Sequence, residues 1–285
     1  MNYSKFVLIA PLTLLMACGG GNDSAKVEDV DVDKIHSSTM TKKDLDNFMH
    51  ILPSHLRVAM MFKNAGVNYN ATVVADVAKH TTFEKPYDQA YMLGVYSVDL
   101  AYSAINNQTQ QSVNFMKAGK YLAQQLGIEQ IYEANNTLSR FEANMEDIDS
   151  VKNLINDLFT ETDVFLKDND KLDVLLISMS AGWLEAVYIS SNLAAQTGKQ
   201  EIISLIGDQR LSLSHLISMM NSHAEHADFG TLIADLESVQ KELEKGQKTP
   251  DTETEAGVYN LSKDELQSIV KLVESIRGKV VAIKS

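Results

Sequence analysis

From about residue 41 onward, apolar residues recur at spacings of three and four, and strict alternation of apolar and polar positions is rare. That periodicity belongs to amphipathic helices, not to strands. The chain divides at its punctuation into helices predicted over 54–66, 70–80, 87–107, 112–126, 128–145, 150–169, 171–198, 200–221, 229–245 and 262–277. Gly127 and Gly198 are placed as helix stops, and Thr41 with Asp44, Asp149–Ser150, and Ser262 with Glu265 as helix starts. The polar, Thr- and Glu-rich stretch 246–257 is expected to be a loose linker. Short connections between long helices favour antiparallel sequence neighbours. The expected fold is therefore all-α, a helical bundle or stacked helical hairpins.

The run 171–198, containing LDVLLISMSAGWLEAVYISSNLAAQ, departs from amphipathicity because it is apolar on nearly every face. Such a helix is buried all round, inside a larger helical domain or in a membrane. Glu185 near its middle argues against an ordinary membrane span and requires a partner.

A second helix carries the same polar residues. Asp99, Tyr102, Asn106 and Gln110 recur as Glu185, Tyr188, Asn192 and Gln196, each displaced by 86 positions. Their spacing puts each set on one helix face, so the pattern predicts a degenerate internal duplication with two acid-Tyr-Asn-Gln stripes. If the stripes face each other, Asp99 and Glu185 pair and, with Tyr102, Asn106, Tyr188, Asn192 and Trp183, line a candidate pocket. Two facing carboxylates share a proton, bind a cation or act as acid and base. The competing account is a helix packing seam in which each acid is satisfied by neighbouring polar groups. Ser178, Ser180, Ala181 and Gly182 favour that seam, since small side chains let two backbones approach.

The N-terminal region follows a different logic. A positive start at Lys5 and an apolar stretch over 6–16 are too short for a mature membrane span and predict a signal peptide over 1–17. Leu15-Met16-Ala17-Cys18 resembles the lipobox of bacterial lipoproteins, Met16 being bulkier than the usual residue. The resemblance implies lipidation of Cys18, the only cysteine, with acyl chains that anchor the protein to a membrane. Residues 18–40 follow as a Gly-rich, acidic, flexible tether. Gly19 is not the aspartate that retains lipoproteins at the inner membrane in enteric bacteria, so the expected address is the outer membrane, facing the periplasm or exposed at the surface. The helical domain is placed at 41–245, a linker at 246–260, and a C-terminal helix packed on the domain at 261–285.

Charge and chemistry narrow the function further. A formal net charge of -13 over 285 residues speaks against nucleic acid, whose binding needs a basic footprint. His223 and His226 are one turn apart and are weak metal candidates, but no zinc or di-iron motif accompanies them. No nucleophile elbow, phosphate loop or dinucleotide fingerprint is present. No cofactor is expected.

The lipobox, the stretch Gly94-Val95-Tyr96-Ser97-Val98-Asp99-Leu100-Ala101-Tyr102, Leu126-Gly127-Ile128, and Gly182-Trp183-Leu184-Glu185-Ala186-Val187-Tyr188-Ile189 together resemble a family of all-helical Bacteroidetes lipoproteins. The resemblance spans about residues 45–240 and implies helices and an envelope location. It carries no catalytic residues. The expectation is a lipid-anchored, non-catalytic envelope protein that binds a protein partner or small ligand. The alternative is an enzyme or metal protein using Asp99 and Glu185.

Overall fold

A computed structural model describes residues 59–282 apart from Met61, Phe62, Ala65, Asn135, His226 and 250–257. Among the described residues the chain is all-α, with nine α-helices and one short two-stranded ribbon. The helices are α1 (Pro86–Ile105), α2 (Thr109–Gln125), α3 (Gln130–Glu133), α4 (Thr137–Ala143), α5 (Ile148–Asp168), α6 (Leu172–Thr197), α7 (Gln200–His223), α8 (Leu232–Leu243) and α9 (Lys263–Val281). The lipidation site Cys18, the tether and the capping pair Thr41–Asp44 lie outside the described residues.

The run singled out by its uniform apolarity is α6, the core helix. It is long and apolar enough to cross a membrane, yet most of it is buried against other elements of the fold, with α1 on one side, α9 and α7 on others and α5 beside it. Gly198 ends it in the left-handed conformation at φ 65°, which only glycine adopts without cost.

α1 and α6 form the centre of the molecule, and they run parallel. Their N-terminal turns border one pocket, Gly94 meets Ser178 and Gly182, and Asp99 meets Glu185. The register of contact is thus the 86-residue displacement seen in the sequence. Each central helix leads through a three- or two-residue connection into the next helix, α1 into α2 and α6 into α7, and packs against it. The two hairpins carry the two polar stripes, one on α1 and one on α6.

Gly94 makes this pairing possible. A Cβ built there would lie 2.0 Å from the Ser178 carbonyl oxygen and 2.9 Å from the Gly182 amide nitrogen. The small residues of α6 thus serve the close backbone approach anticipated for them. The Ser178 hydroxyl turns back to donate to the Val174 carbonyl, so it is not stranded in the seam.

Four local expectations are corrected. Residues 70–80 are not a helix: Asn70 accepts from the Thr72 amide and hydroxyl, and Asp76 from the Ala78 amide, leaving only a 3-10 turn at Val77–Lys79. Those side-chain bonds compete with helical ones. The helix expected over 128–145 breaks into α3 and α4, with Asn136 left-handed at φ 49°. α5 starts earlier than expected, because Asp147, not Asp149 or Ser150, caps the amides of Asp149 and Ser150. The expected linker carries a strand pair: β1 (Gln247–Thr249) pairs antiparallel with β2 (Val258–Asn260), and Asn260 receives Gln200 Nε2 of α7 at 2.6 Å.

The last helix begins with the expected capping box, Ser262 and Glu265 each bonding the other's backbone amide. It continues to Val281, past the expected end at 277. Its apolar stripe, Leu266, Ile269, Val273, Ile276 and Val280, is buried on the domain.

Candidate functional site

The face shared by α1, α6 and α9 brings three charged side chains into the core. Asp99 and Glu185 are each 0% exposed, and the Arg277 side chain is 12% exposed. Arg277 holds Glu185 in a two-pronged ion pair, Nε donating to Oε2 at 2.5 Å and Nη2 to Oε1 at 2.8 Å. Its guanidinium also lies over the Tyr188 ring, 4.2 Å from the centroid. Burial opposes the arginine's charge, but the Glu185 and Asp99 carboxylates outweigh it and hold the group firmly protonated. A fork of this kind matches a carboxylate in plane, which a lysine does not.

Asp99 stands differently. Its Oδ2 accepts from the Ala75 amide at 2.9 Å, while Oδ1 is enclosed and receives no donor. Burial pushes its carboxyl well above the usual range, and the Glu185 charge adds to that. Arg277 and the Ala75 amide pull the other way. Two ionised carboxylates offer only acceptors to one another, so a proton on Asp99 supplies the missing donor toward Glu185. With Asp99 protonated, the Glu185 and Arg277 charges cancel and the three side chains form one buried unit of zero net charge.

The remaining stripe residues are brought together only in part. Asn106 and Asn192 do the same thing in each repeat: Nδ2 donates to the carbonyl four residues back, Tyr102 at 2.8 Å and Tyr188 at 2.9 Å. The tyrosines diverge. Tyr102 hydroxyl accepts from the Asn70 amide at 3.0 Å and its ring packs on Tyr69, 5.0 Å between centroids. Tyr188 lies under Arg277 instead. One stripe is thus covered by the strap before α1, the other by α9. The fourth stripe position differs too. Asn106 caps α1 and Gln110 belongs to α2, whereas Gln196 remains on α6 and receives Asn70 Nδ2 at 3.2 Å. Trp183 is buried with its Nε1 unpartnered.

A pocket of about 530 Å³ opens elsewhere, at the shared N-terminal end of α1 and α6. None of the seven residues expected to line a pocket borders it. Its wall is made by the first turns of α1 and α6, the 228–232 loop, Asp235 of α8 and the last turns of α9. Tyr91 connects pocket and charge cluster. Its side chain stands on the pocket wall, its hydroxyl is enclosed without a partner, and both Glu185 and Arg277 act on it electrostatically. Burial first, then Glu185, pushes that hydroxyl's ionisation far up, so it stays a neutral donor. Eight residues separate Tyr91 from Asp99 and also Ile177 from Glu185, about 12 Å along each helix.

Arg277 and the pocket are the features that the sequence reading did not foresee. The signal for Arg277 was present: it falls four residues after Val273 and three before Val280, on the apolar stripe of α9, where an arginine is out of place unless paired. His223 ends α7 with its ring 6.4 Å from Phe229; His226 lies outside the described residues. Among the described residues no three His, Cys, Asp or Glu side chains converge to hold a metal. Comparison with protein-family models, curated proteins and solved structures finds no match.

Proposed function

We propose that this chain is a lipid-anchored envelope protein that binds a small ligand and catalyses no reaction, tethered to the outer membrane through acylated Cys18. The observation that carries the binding reading is the half-open pocket of about 530 Å³ with the enclosed, unpaired Tyr91 hydroxyl on its wall. Its size falls within the roughly 300–1,000 Å³ of small-molecule sites, and its wall sets apolar side chains beside four aspartates and two lysines. The acid pair is less suited to work on a substrate. Glu185 is committed to Arg277 by both oxygens, and Asp99 is sealed 0% exposed behind the Val67–Asp76 strap.

The test is a thermal-melt screen of the full chain against anionic, cationic and neutral small-molecule classes, run beside Val174→Trp. Val174 borders the pocket, and an indole there fills it. At least one class raises the wild-type midpoint, since a ligand at 100 times its Kd stabilises by about 2.7 kcal/mol. Val174→Trp folds and loses the shift. A screen in which no class moves the midpoint, or in which Val174→Trp responds like wild type, defeats the reading. The anchor is tested separately. Cys18→Ser should leave the protein out of the detergent phase, and a leader-cleaved mutant that still partitions with membranes would refute the lipid attachment.

A further inference from the structure

We infer that the pocket between the starts of α1 and α6 takes a small organic cation, a molecule bearing a primary or substituted ammonium group. This rests on the small-ligand reading above and adds the ligand's chemistry.

The charges that border the pocket decide its sign. Four carboxylates face it, Asp88, Asp173, Asp228 and Asp235, against two lysines, Lys85 and Lys279. Lys279 is already spent: its Nζ lies 2.6 and 2.7 Å from the two oxygens of Asp235. Three carboxylates then stand against Lys85. The opposing consideration is that α1, α6 and α8 all begin here without a side-chain cap, and helix starts attract anions. Each first turn, however, carries its own aspartate, Asp88, Asp173 and Asp235. Half a charge per helix end does not overturn a full charge per carboxylate.

The shape of the wall agrees with the charge. Tyr87 and Tyr91, one turn apart on α1, both border the pocket with ring centroids 6.3 Å apart. Tyr91 is buried and backs the part-exposed Tyr87 ring, and an aromatic ring beside carboxylates is a recurrent way to hold an ammonium, because the ring quadrupole and the full charge attract the same head group. The Tyr87 hydroxyl reports the local potential. After burial, the carboxylates of Asp235, Asp88 and Asp228 push its ionisation up to about 12. The Tyr91 hydroxyl, enclosed behind that wall, has no hydrogen-bond partner of its own. The apolar remainder, Ala90, Val174, Ile177, Leu232 and Ile276, fits a short hydrocarbon chain.

The experiment uses the full chain in titration calorimetry and thermal melts at matched ionic strength. Choline and putrescine are the cationic probes, sodium phosphate and sodium acetate the anionic ones, glucose the neutral one and magnesium chloride the metal. One or both ammonium probes bind saturably and raise the midpoint. Tyr87→Leu and Asp228→Asn, the latter an exposed side chain, each weaken binding about tenfold, and Tyr87→Phe, which keeps the ring, does not. Phosphate, acetate, glucose or magnesium binding in place of the ammonium probes overturns the inference. So does an ammonium shift that persists unchanged in Tyr87→Leu and Asp228→Asn, which would mark general screening of a -13 chain. If a neutral or anionic molecule binds and Val174→Trp blocks it, only the ammonium assignment falls. If nothing in the broader screen binds, the small-ligand reading falls with it.

Discussion

Replacing Asp99 by Asn changes the protonation chemistry of the core while leaving its volume almost untouched. In the wild type the folded state holds a proton on Asp99 more tightly than the unfolded chain does, because burial and the Glu185 charge both disfavour the ionised form. The unfolded carboxyl titrates near its ordinary value of about 3.9. Between that value and the folded one, the folded state binds more protons. Stability is therefore fully present below about pH 4 and is lost as pH rises through the folded value, at up to about 1.4 kcal/mol per pH unit. Asparagine has no such proton to lose. Its carbonyl oxygen keeps the Ala75 amide, now received at 2.9 Å by Oδ2. Its amide group puts toward Glu185 a donor that needs no proton uptake.

Each pH unit above about 4, up to the folded value, adds about 1.4 kcal/mol to the advantage of the variant. At about 2–4 °C per kcal/mol for a chain of this size, Asp99→Asn should melt several degrees higher at neutral pH. The assay is urea unfolding followed by far-UV circular dichroism from about pH 4 to pH 8, comparing midpoints at constant slope. Other titrating groups contribute equally to both proteins, so the difference between the two profiles isolates Asp99. The profiles should converge toward pH 4 and separate above it, with the variant the more stable. A variant less stable at every pH, on a profile parallel to wild type, would refute the reasoning. It would mean that Asp99 is ionised in the fold and that Arg277 needs its charge.

How much of this was legible beforehand varies with the kind of information each element carries. The course of α6 could be read directly: uniform apolarity predicts burial all round, and Gly198 has no other efficient use than a left-handed stop. The pairing of Asp99 with Glu185 was legible because a duplicated pattern tends to meet itself across a pseudo-symmetric seam. Even the register was present, since the 86-residue displacement is also the contact offset of the parallel helices. The strap before α1 was misread because Asn70 and Asp76 bond nearby amides, and Ala75 gives its amide to Asp99, a tertiary contact that no local pattern announces. The pocket was invisible for a related reason. It is bordered by the ends of four separate segments, and most of its charged residues have an adequate local role: Asp88, Asp173 and Asp235 as first-turn aspartates, Lys279 as a last-turn lysine, and Asp228 in bonding the Gly230 amide. Only the convergence of those ends makes them a site.

The other predictions test the parallel seam and its charge. Gly94→Ala places a methyl 2.0 Å from the Ser178 carbonyl oxygen, so the central helices must separate. A loss at or above the usual overpacking cost of about 1–3 kcal/mol is expected, and a melt within a degree of wild type would show that the close approach is not needed. Arg277→Met keeps much of the apolar stem but removes the cation from two carboxylates that are each 0% exposed. Breaking a buried pair in this way costs about 3–5 kcal/mol, because Glu185 loses both of its donors and Asp99 loses the one positive charge that offsets its neighbour. The double variant Arg277→Met with Glu185→Gln removes the stranded charge as well, and should regain part of that loss. Chemical unfolding of the two variants separates the outcomes: recovery means that the single variant suffers from an uncompensated charge, and the absence of any recovery means that α9 is held by its apolar stripe and the ion pair contributes little to docking it.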